Sequence, residues 1–415
     1  MSDDAIAASG TVHWIGTGLS TGRSGLSLVC ESAARVVLWD RTEERAAARL
    51  AALGLTGRAE VRALTPSAPA ALAAEAGPGD VIVSMLPAAE HAPLLRLAIE
   101  RGAHFACTSY VSPELAELAE LAEPAERAAE AVGAARTVVL TEAGLDPGID
   151  HLLAHDLVAR GRRALGAIPA TAAFTSYCGG VPAVPNAFRY RFSWAPYGVL
   201  AALGSPARYI EAGAEVTVPH PWEATRTRTL AGEDFEVYPN RDSVPFVAQY
   251  GIPDHWKLDA FVRGTLRNAG WRTAWKDVFE TVAAEDPGAV RALAAELAAR
   301  HPTTADDRDR VVLSVALDLR TADGAHWHGS HLLDVTGTAA ESAMARCVSL
   351  PVAHGVTRIL AGALPAGLGR AAETPAETDH WLSFLAARGL GGTYTETHVP
   401  AAAATSPTTP SGATA

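Results

Sequence analysis

The first 107 residues alternate between short apolar runs and longer segments of helical pattern, and this alternation constrains the fold more than any other feature. We predict strands at residues 11–15, 36–39, 80–85 and 104–107, and helices at residues 26–34, 42–53 and 88–100. Strands that alternate with helices form a parallel sheet with right-handed crossovers. Gly16-Thr17-Gly18 follows the first strand and precedes the first helix, which is the position of a dinucleotide-binding loop. The first part is therefore predicted to be α/β, a Rossmann-type doubly wound parallel sheet.

The pattern changes after Asp150, where segments of strand character and many aromatic residues replace the regular helices. Residues 310–319 partly alternate, and Asp323-Gly324 is typical of a hairpin turn. We expect a second α+β domain built on a largely antiparallel sheet. Helical patterns return at about residue 338, and residues 398–415, rich in Ala, Thr, Pro and Ser, are predicted to be a disordered tail.

The composition is that of a soluble protein, with 48% hydrophobic and 19% charged residues. The net charge of −12 argues against nucleic acid as a partner, because a phosphate backbone selects basic surfaces. Four cysteines without paired spacing indicate reduced thiols and a cytoplasmic location. We expect no signal peptide, since the first fifteen residues lack a basic region, and no membrane span, since no apolar run is long enough.

Two short stretches narrow the function. Residues 141–151 read Thr-Glu-Ala-Gly-Leu-Asp-Pro-Gly-Ile-Asp-His, and residues 176–182 read Ser-Tyr-Cys-Gly-Gly-Val-Pro. Here, and in four further blocks, the chain resembles the saccharopine reductase family, the glutamate-forming saccharopine dehydrogenases. The blocks are Ser109-Tyr110-Val111-Ser112, Phe192-Ser193-Trp194, Tyr238-Pro239-Asn240-Arg241-Asp242-Ser243 and Arg263-Gly264-Thr265-Leu266-Arg267. They follow the family's order over residues 80–275.

The resemblance implies a domain organisation. The family's C-terminal helices fold back onto its nucleotide domain, so we expect a dinucleotide-binding domain of residues 1–148 plus 338–397. Residues 149–337 would then form a substrate-binding and dimerisation domain. The resemblance also implies an amino-acid substrate, NADP as the cofactor and a homodimer.

The glycine-rich loop is the first part of the predicted cofactor site. Gly16, Gly18, Leu19 and Ser20 are expected to meet the pyrophosphate, because glycines let backbone amides approach it closely. The loop is irregular, since Thr21 stands where a third glycine is usual. The alternative is a tight turn that serves packing alone.

The second strand ends in Asp40-Arg41-Thr42, which bears on the choice between NAD and NADP. An acidic residue here would bind a ribose 2′-hydroxyl and favour NAD, whereas arginine would neutralise a 2′-phosphate. The resemblance matches Arg41 and Thr42 and favours NADP, while Asp40 keeps NAD possible. The alternative for Arg41 is a solvated residue at a helix start.

Other candidates follow the ends of later strands, where doubly wound folds bind ligands. Ser84 and Leu86 are predicted to line the nicotinamide side, with packing as the alternative. The resemblance assigns Ser109 and Tyr110 to contact with cofactor and substrate, and it adds Leu145 to the cofactor site. A buried tyrosine with a satisfied hydroxyl is the alternative for Tyr110.

Asp146 has two interpretations of similar weight from the residues alone. Asp followed by Pro before an apolar helix is a good N-cap. The resemblance favours a catalytic and substrate-binding carboxylate instead, with Tyr110 as the second catalytic residue. Such a group could hold a substrate ammonium or transfer a proton.

The remaining substrate candidates are Cys178, Gly179, Arg241, Thr265 and Arg267. The arginines match carboxylate-binding blocks of the family, and guanidinium groups bind carboxylates bidentately. We expect Cys178 to form a wall of the pocket rather than a nucleophile, and Gly179 to offer a backbone amide. The alternative for each arginine is a surface position.

No metal is expected. His151 and His155 stand four residues apart on a predicted helix, which is a spacing that can bind a metal, but no third ligand accompanies them.

The predicted function is that of an NAD(P)-dependent oxidoreductase that reduces an imine formed from an amino acid and 2-aminoadipate semialdehyde, giving saccharopine. An opine-type or carboxyalkyl-polyamine-type imine reductase is the first alternative, and a polyamine would favour an acid-lined pocket. A non-catalytic NADP-sensing protein is the alternative of another class.

Overall fold

Two β-sheets share one hydrophobic core in the computed structural model, which describes residues 5–64, 69–120, 136–284, 286–304, 306–371 and 374–401. In chain order the elements are β1 (Thr11–Ile15), α1 (Arg23–Ser32), β2 (Arg35–Asp40), α2 (Glu43–Ala52), β3 (Glu60–Ala63), α3 (Ala70–Glu75), β4 (Val81–Ser84), α4 (His91–Arg101), β5 (His104–Cys107), α5 (Pro113–Glu120), β6 (Val138–Leu140), α6 (Ile149–Leu165), β7 (Ala170–Pro182), α7 (Pro196–Leu203), β8 (Ala207–Glu211), β9 (Ala214–Val218), β10 (Arg226–Leu230), β11 (Glu233–Pro239), α8 (Phe246–Gln249), β12 (Trp256–Asn268), α9 (Trp271–Ala274), α10 (Lys276–Ala283), α11 (Pro287–Arg300), β13 (Asp309–Thr321), β14 (His326–Thr336), α12 (Ala343–Leu360), β15 (Gly367–Gly369), α13 (Pro375–Ala387) and β16 (Thr393–Val399). Single 3₁₀ turns lie at Ala88–Glu90 and Pro221–Ala224.

The first sheet contains seven parallel strands in the order β15-β6-β5-β4-β1-β2-β3. Its central strands are apolar on both faces because helices cover both sides, and β4 is buried at every position. The strand order reverses between β1 and β4, so a ligand crevice is expected outside the carboxyl ends of these strands. The predicted Rossmann-type sheet is confirmed.

The second sheet contains nine strands, in the order β10-β11-β12-β7-β13-β14-β16, with β8 and β9 attached beside β12. β7 and β12 run parallel, and the other pairs are antiparallel. One face packs on α6, where Leu152 joins Phe174 and Leu313 in the shared core. Because α6 directly follows the 141–148 turn, that turn lies where the two sheets approach each other.

The C-terminal segment divides between the two sheets. α12 packs closely on α1, since an added Cβ at Gly25 would lie 2.3 Å from the carbonyl oxygen of Ser349, and β15 extends the first sheet. β16 instead pairs with β14 of the second sheet. The expected first domain, which ended at residue 397, therefore includes part of a strand of the second sheet, and the expected tail, which began at residue 398, overlaps the end of β16. Residues 402–415 of the predicted tail lie outside the described residues.

Two further features concern the environment of the chain. Within the described ranges, no helix combines the length and the apolar character needed to cross a membrane. The four cysteines are all in the described part of the chain, and each carries a free thiol.

Candidate active site

The loop between β1 and α1 has the geometry of a dinucleotide-binding turn. Gly16 has a φ angle of 102°, which favours glycine, and an added Cβ there would lie 3.1 Å from Cδ2 of Leu86. The Thr21 hydroxyl donates to the carbonyl of Gly16 at 2.8 Å and closes the turn. An added Cβ at Gly18 would meet nothing within 4 Å, so Gly18 borders open space that a ligand can enter.

Asp40 and Arg41, at the end of β2, have opposite environments. The nearly buried Asp40 carboxylate accepts hydrogen bonds from the Thr17 hydroxyl, the Arg41 amide at 2.6 Å and the Arg45 guanidinium at 3.2 Å. The Arg41 side chain is exposed and makes no ion pair with the described residues. Thr42 caps α2 by accepting from the Arg45 amide at 3.3 Å. The carboxylate that would bind a ribose 2′-hydroxyl is thus engaged within the protein, while a cation remains available for a 2′-phosphate.

The other predicted cofactor residues differ in their access to solvent. Leu19 is 51% exposed, and Ser20 and Leu86 are partly buried. Ser84 is fully buried, and Leu145 belongs to the hydrophobic core. Strand and turn packing encloses the side chains of Ser84 and Leu145, and a contact of either residue with the cofactor remains a prediction.

A buried histidine connects two of the predicted serines. The Nδ1 atom of His91, the first residue of α4, lies 2.8 Å from Oγ of Ser84, and its Nε2 atom lies 2.8 Å from Oγ of Ser109. Ser109, unlike Ser84, is partly exposed after the end of β5. The three side chains form a continuous hydrogen-bonded chain from the interior to the edge of the sheet.

The turn between β6 and α6 holds Asp146 outside the helix. The helix begins at Ile149, and its N-cap, Gly148, provides no side-chain cap. An added Cβ at Gly148 would lie 2.1 Å from the carbonyl oxygen of Gly144, so the turn requires glycine there. The Gly148 amide donates to Asp150 at 2.7 Å. The alternative in which Asp146 caps the helix is therefore wrong, and its carboxylate is available for other contacts.

Five side chains from separate parts of the chain meet beside this turn. The Tyr110 hydroxyl donates to Oδ1 of Asp146 at 2.5 Å, and Nη2 of Arg263 lies 2.9 Å from the same oxygen. The same Nη2 donates to Oδ2 of Asp150 at 2.5 Å. The ring of Phe246 lies against the guanidinium, 3.9 Å from it. Arg263 is thus fixed between two carboxylates, of which Asp146 is 19% exposed and Asp150 is fully buried.

The electrostatics of this cluster favour a proton near Asp146. Burial and the negative charge of Asp150 raise the pKa of Asp146 above its usual value, although Arg263 and Tyr110 oppose the change. Burial also raises the pKa of Tyr110 well above its usual range, so its hydroxyl is protonated at neutral pH. A carboxyl with a raised pKa beside a protonated phenol can exchange a proton with a ligand.

A second buried network supports the cluster from behind. Oε2 of Glu142 lies 3.1 Å from Nε2 of His151 and accepts from Gln249 at 2.9 Å and from Arg370 at 3.1 Å. Burial alone would raise the pKa of Glu142, but the bond to His151 and the charges of His151 and Arg370 lower it to about 2. His151 also stacks on Phe246. It is therefore engaged in packing and pairing, and no group of side chains among the described residues could hold a metal ion.

Arg267, four residues along β12, lies in a different environment from Arg263. It is buried at 6% exposure, yet it makes no ion pair with any described carboxylate. Its guanidinium lies over the ring of Tyr190 at 4.8 Å. Glu236, directly across on β11, uses its carboxylate to accept two backbone amides. A buried guanidinium without a counter-charge is costly, so this position suits an anionic ligand.

Thr265 and Cys178 lie between the two arginines. In β12, residues 263, 265 and 267 point to one face, and Thr265 is in register with Cys178 of β7. Thr265 is partly exposed, and Cys178 is buried. Burial, followed by the charges of Asp146 and Asp150, raises the pKa of Cys178 well above its usual range. The thiol is therefore a poor nucleophile and suits a wall of the site.

The last two predicted substrate residues occupy unlike positions. Gly179 follows Cys178 in the strand, and an added Cβ there would lie 2.1 Å from the carbonyl oxygen of Leu266, so close packing of the strands requires this glycine. Arg241 is exposed, and its guanidinium lies 5.5 Å from the ring of Tyr110. Arg241 thus approaches the cluster, whereas a ligand contact from Gly179 remains a prediction.

Four residues of this region were not predicted as site residues from the sequence: Arg263, Asp150, Glu142 and His91. Strand alternation offered a signal for Arg263, because it shares a face with Arg267. Glu142 and Asp150 each stand four residues from Asp146 in the 141–151 stretch. His91 had no signal in the sequence, since its bonds depend on β4 and β5 being neighbours.

The fold and the site define a class of protein: a two-domain, dinucleotide-binding α/β protein with a buried acidic cluster where the two sheets meet. Residues 12–140 match the family model of the saccharopine dehydrogenase NADP-binding domain. Residues 144–390 match that of the saccharopine dehydrogenase C-terminal domain. The chain belongs to the saccharopine dehydrogenase family, and its first domain is the family's NADP-binding domain, in agreement with the predicted cofactor.

Curated relatives match part of the chain. It is 36% identical over 270 residues to saccharopine dehydrogenase [NADP(+), L-glutamate-forming] of Pyricularia oryzae, which covers 64% of this chain and 56% of that protein. It is 35% identical over 202 residues to mitochondrial alpha-aminoadipic semialdehyde synthase of Mus musculus, with 47% of this chain and 20% of that protein covered. The chain thus matches about half the length of the first relative and a fifth of the second.

Solved structures extend the likeness over most of the fold. The apo saccharopine dehydrogenase (L-Glu forming) of Saccharomyces cerevisiae is 26% identical, with a TM-score of 0.76, 94% of this chain covered and 100% of that chain. Homospermidine synthase of Legionella pneumophila in complex with NAD has a TM-score of 0.61 at 10% identity, with 96% of this chain and 93% of that chain covered. The second likeness concerns the fold alone.

Proposed function

We propose that the protein is an NADP-dependent oxidoreductase acting on CH–NH bonds, a saccharopine dehydrogenase of the L-glutamate-forming kind. In this reaction the amino group of glutamate and 2-aminoadipate semialdehyde condense to an imine with loss of water. Transfer of a hydride to the imine carbon then gives saccharopine, and the reverse reaction releases glutamate. The main support is the Tyr110–Asp146–Arg263 cluster beside the NADP-binding sheet, and the names of the relatives supply the substrate.

Substrate recognition would rest on the arginines of the second sheet. Saccharopine carries three carboxylates, and guanidinium groups bind carboxylates in bidentate pairs. Arg267 would gain the counter-charge that it lacks, and exposed Arg241 could hold a second carboxylate near Tyr110. Thr265 and Cys178, between them and the acidic cluster, would form the wall along which the substrate lies.

Proton transfer would fall to Asp146. Loss of water from the carbinolamine needs a proton on the departing hydroxyl, and a carboxyl with a raised pKa can supply it. The resulting carboxylate would balance the positive charge of the iminium. Tyr110 and Arg263 hold the carboxyl in one orientation through Oδ1, so less ordering is left for the reaction itself.

The residues of the first domain fit a bound NADP. Gly18 borders open space, Arg41 carries a free cation for the 2′-phosphate, and Ser109 is partly exposed after β5. When bound, the reduced cofactor supplies the hydride. The protein contributes orientation and charge, and the exposed Leu19 and partly buried Ser20 would flank the pyrophosphate.

The proposal is tested by following NADPH oxidation with 2-aminoadipate semialdehyde and a panel of amino acids and diamines. We expect turnover with glutamate and a product with the mass of saccharopine. Turnover with a diamine instead would favour the polyamine-type alternative. NADPH binding without turnover on any amine would contradict the enzyme and favour a sensing role.

We further propose that the protein is a cytoplasmic homodimer. Support for a dimer comes from the second sheet, which ends in two exposed edge strands, β10 and β16, because open edges offer unpaired backbone groups to another chain. Four free thiols support a reducing compartment. Light scattering after gel filtration should give twice the chain mass, and a monomeric mass would contradict the dimer.

A further inference from the structure

The burial of Ser84 determines the direction of the hydrogen bonds that join Ser84, His91 and Ser109. Ser84 and His91 are fully buried, and His91 is the partner of the Ser84 hydroxyl in the described part of the chain. A buried O–H group without an acceptor is costly. The Ser84 hydroxyl hydrogen must therefore point to Nδ1 of His91, since no other described acceptor bonds to it.

The direction of the first bond sets the second. A neutral imidazole carries one N–H, so an Nδ1 atom that accepts leaves the hydrogen on Nε2. In this tautomer the Nε2 hydrogen points to Oγ of Ser109, which lies 2.8 Å from Nε2. Burial lowers the pKa of His91 to about 4, so the ring is neutral at neutral pH. The edge contact with Phe105, at 6.3 Å between ring centroids, adds no competing polar partner.

The consequence appears at Ser109. Its oxygen already accepts from His91, so its own hydrogen is free to be donated, and its side chain is partly exposed beside Tyr110. Its backbone is also fixed, because its carbonyl oxygen accepts from the Glu142 amide at 3.1 Å. With its backbone fixed and one lone pair of its oxygen bound by His91, the Ser109 hydroxyl keeps its hydrogen for a ligand and can act toward that ligand as a donor.

We propose that His91 is a positioning residue that orients the Ser109 hydroxyl so that it donates to an acceptor oxygen of the bound ligand. The inference rests on the proposed function for the identity of that ligand. An amide or carboxylate oxygen satisfies the same chemistry, so the acceptor belongs either to the cofactor carboxamide or to a substrate carboxylate.

The proposed direction is tested without any ligand. Nitrogen-15 spectra of histidine-labelled protein distinguish the two neutral tautomers, and His91→Gln identifies the His91 signals. We expect the Nε2–H tautomer at neutral pH. An Nδ1–H tautomer, or a doubly protonated ring, would overturn the proposal whether or not the protein is an enzyme.

Amide variants of His91 test the positioning. The Gln amide reaches the place of Nε2 and can still donate to Ser109, whereas the shorter Asn amide reaches the place of Nδ1 and loses that bond. We expect His91→Asn and His91→Leu to weaken ligand binding by about three- to tenfold, the size of one neutral hydrogen bond, and His91→Gln by about twofold or less. Equal losses in the Asn and Gln variants would contradict the proposal.

A double-mutant cycle with Ser109→Ala separates positioning from packing. If His91 acts through Ser109, then His91→Leu adds no further loss once Ser109 is alanine, and an additive loss overturns the proposal. The NADPH dissociation constant without substrate and the KM for glutamate are measured separately, and the one that changes identifies the acceptor. His104→Asn is the control, since buried His104 binds the amide of Val138 and should change neither constant. Failure of the wild type to bind NADPH would refute the proposed function alone, because the tautomer measurement stands apart.

Discussion

Two arginines on the same strand, four residues apart, show how one side chain serves different ends in this protein. Arg263 lies between Asp146 and Asp150, bonds to the Tyr110 hydroxyl at 2.9 Å and rests on Phe246. Arg267 is equally buried, but among the described residues its guanidinium meets aromatic rings and no carboxylate. The first arginine has its counter-charges within the protein, and the second has none in the part of the chain that the structure describes.

The difference separates organisation from recognition. A buried charge that is paired contributes order, and removing it leaves its partners uncompensated. A buried charge that is unpaired lowers the stability of the ligand-free protein, and that stability rises when an anion binds to it. Arg263 therefore orders the side chains of the site, whereas Arg267 is proposed to bind a substrate carboxylate. Removing Arg263 should therefore lower mainly the stability of the protein, whereas removing Arg267 should lower mainly its catalytic efficiency.

The largest expected effect is on stability, in Arg263→Leu. Two buried carboxylates lose their shared cation, and breaking a buried pair in this way costs about 3–5 kcal/mol. Denaturant unfolding should show that loss. The double variant Arg263→Leu/Asp150→Leu removes one of the two unpaired carboxylates and should recover part of the lost stability. A single variant as stable as wild type would contradict the inference that Arg263 stabilises the site through its two carboxylates.

Glu142 extends the contrast to a carboxylate with several partners, and it gives a pH dependence. Its pKa is lowered from 4.5 to about 2, so its contribution is present above pH 4.5 and is lost as the pH falls toward 2. The gap corresponds to about 3 kcal/mol. Glu142→Gln should be less stable by about that amount at pH 7. The difference from wild type should vanish near pH 2, whereas a difference independent of pH would contradict the pairing.

Asp146 provides the catalytic side of the comparison. Asp146→Asn keeps the shape and removes both charge and basicity, so imine reduction should fall by about two orders of magnitude. Because Asp146 caps no helix, folding should be preserved, with a melting temperature shifted by only a few degrees for a stability change of about 1 kcal/mol. Wild-type activity with an unchanged pH–rate profile would remove Asp146 from the mechanism.

Arg267→Leu should give the reverse of Arg263→Leu. Catalytic efficiency should fall by roughly ten- to hundredfold, because charge-assisted bonds to a carboxylate are worth about 1.5–3 kcal/mol. Stability without substrate should stay within about 1 kcal/mol of wild type, since an unpaired buried charge has been removed. Steady-state kinetics and denaturant unfolding on the same preparation measure both. A large loss of stability with normal kinetics would make Arg267 a structural residue.

The sequence predicted local features of this arrangement better than distant ones. Four of the seven strands of the first sheet, β1, β2, β4 and β5, were predicted within two residues, because buried parallel strands are apolar runs in the sequence. Pro351 lies inside α12, although proline usually ends a helix, so the sequence alone does not predict one continuous helix there. Packing of α12 on α1 overrides that local preference.

The same limit applies to the site. Asp146 and Arg267 lie in contiguous motifs, so the resemblance reached them. The bond between Arg263 and Asp150 joins residues 113 positions apart, and it forms only because the fold places β12 next to the start of α6. Ser84 and Ser109 looked like two independent contacts, and only the pairing of β4 with β5 brings them to one histidine.

The smallest expected effect concerns a third arginine, the exposed Arg41, which like Arg267 makes no ion pair with a described carboxylate. Its neighbour Asp40 is engaged with Thr17 and Arg45, so Arg41 is the cation available for the 2′-phosphate that distinguishes NADPH from NADH. Arg41→Ala should raise the KM for NADPH by about tenfold, as expected for one charge-assisted contact, and leave the KM for NADH nearly unchanged. Arg58→Ala, an exposed arginine elsewhere in the domain, should change neither constant. Equal increases for both cofactors would show that Arg41 shapes the loop rather than reading the phosphate.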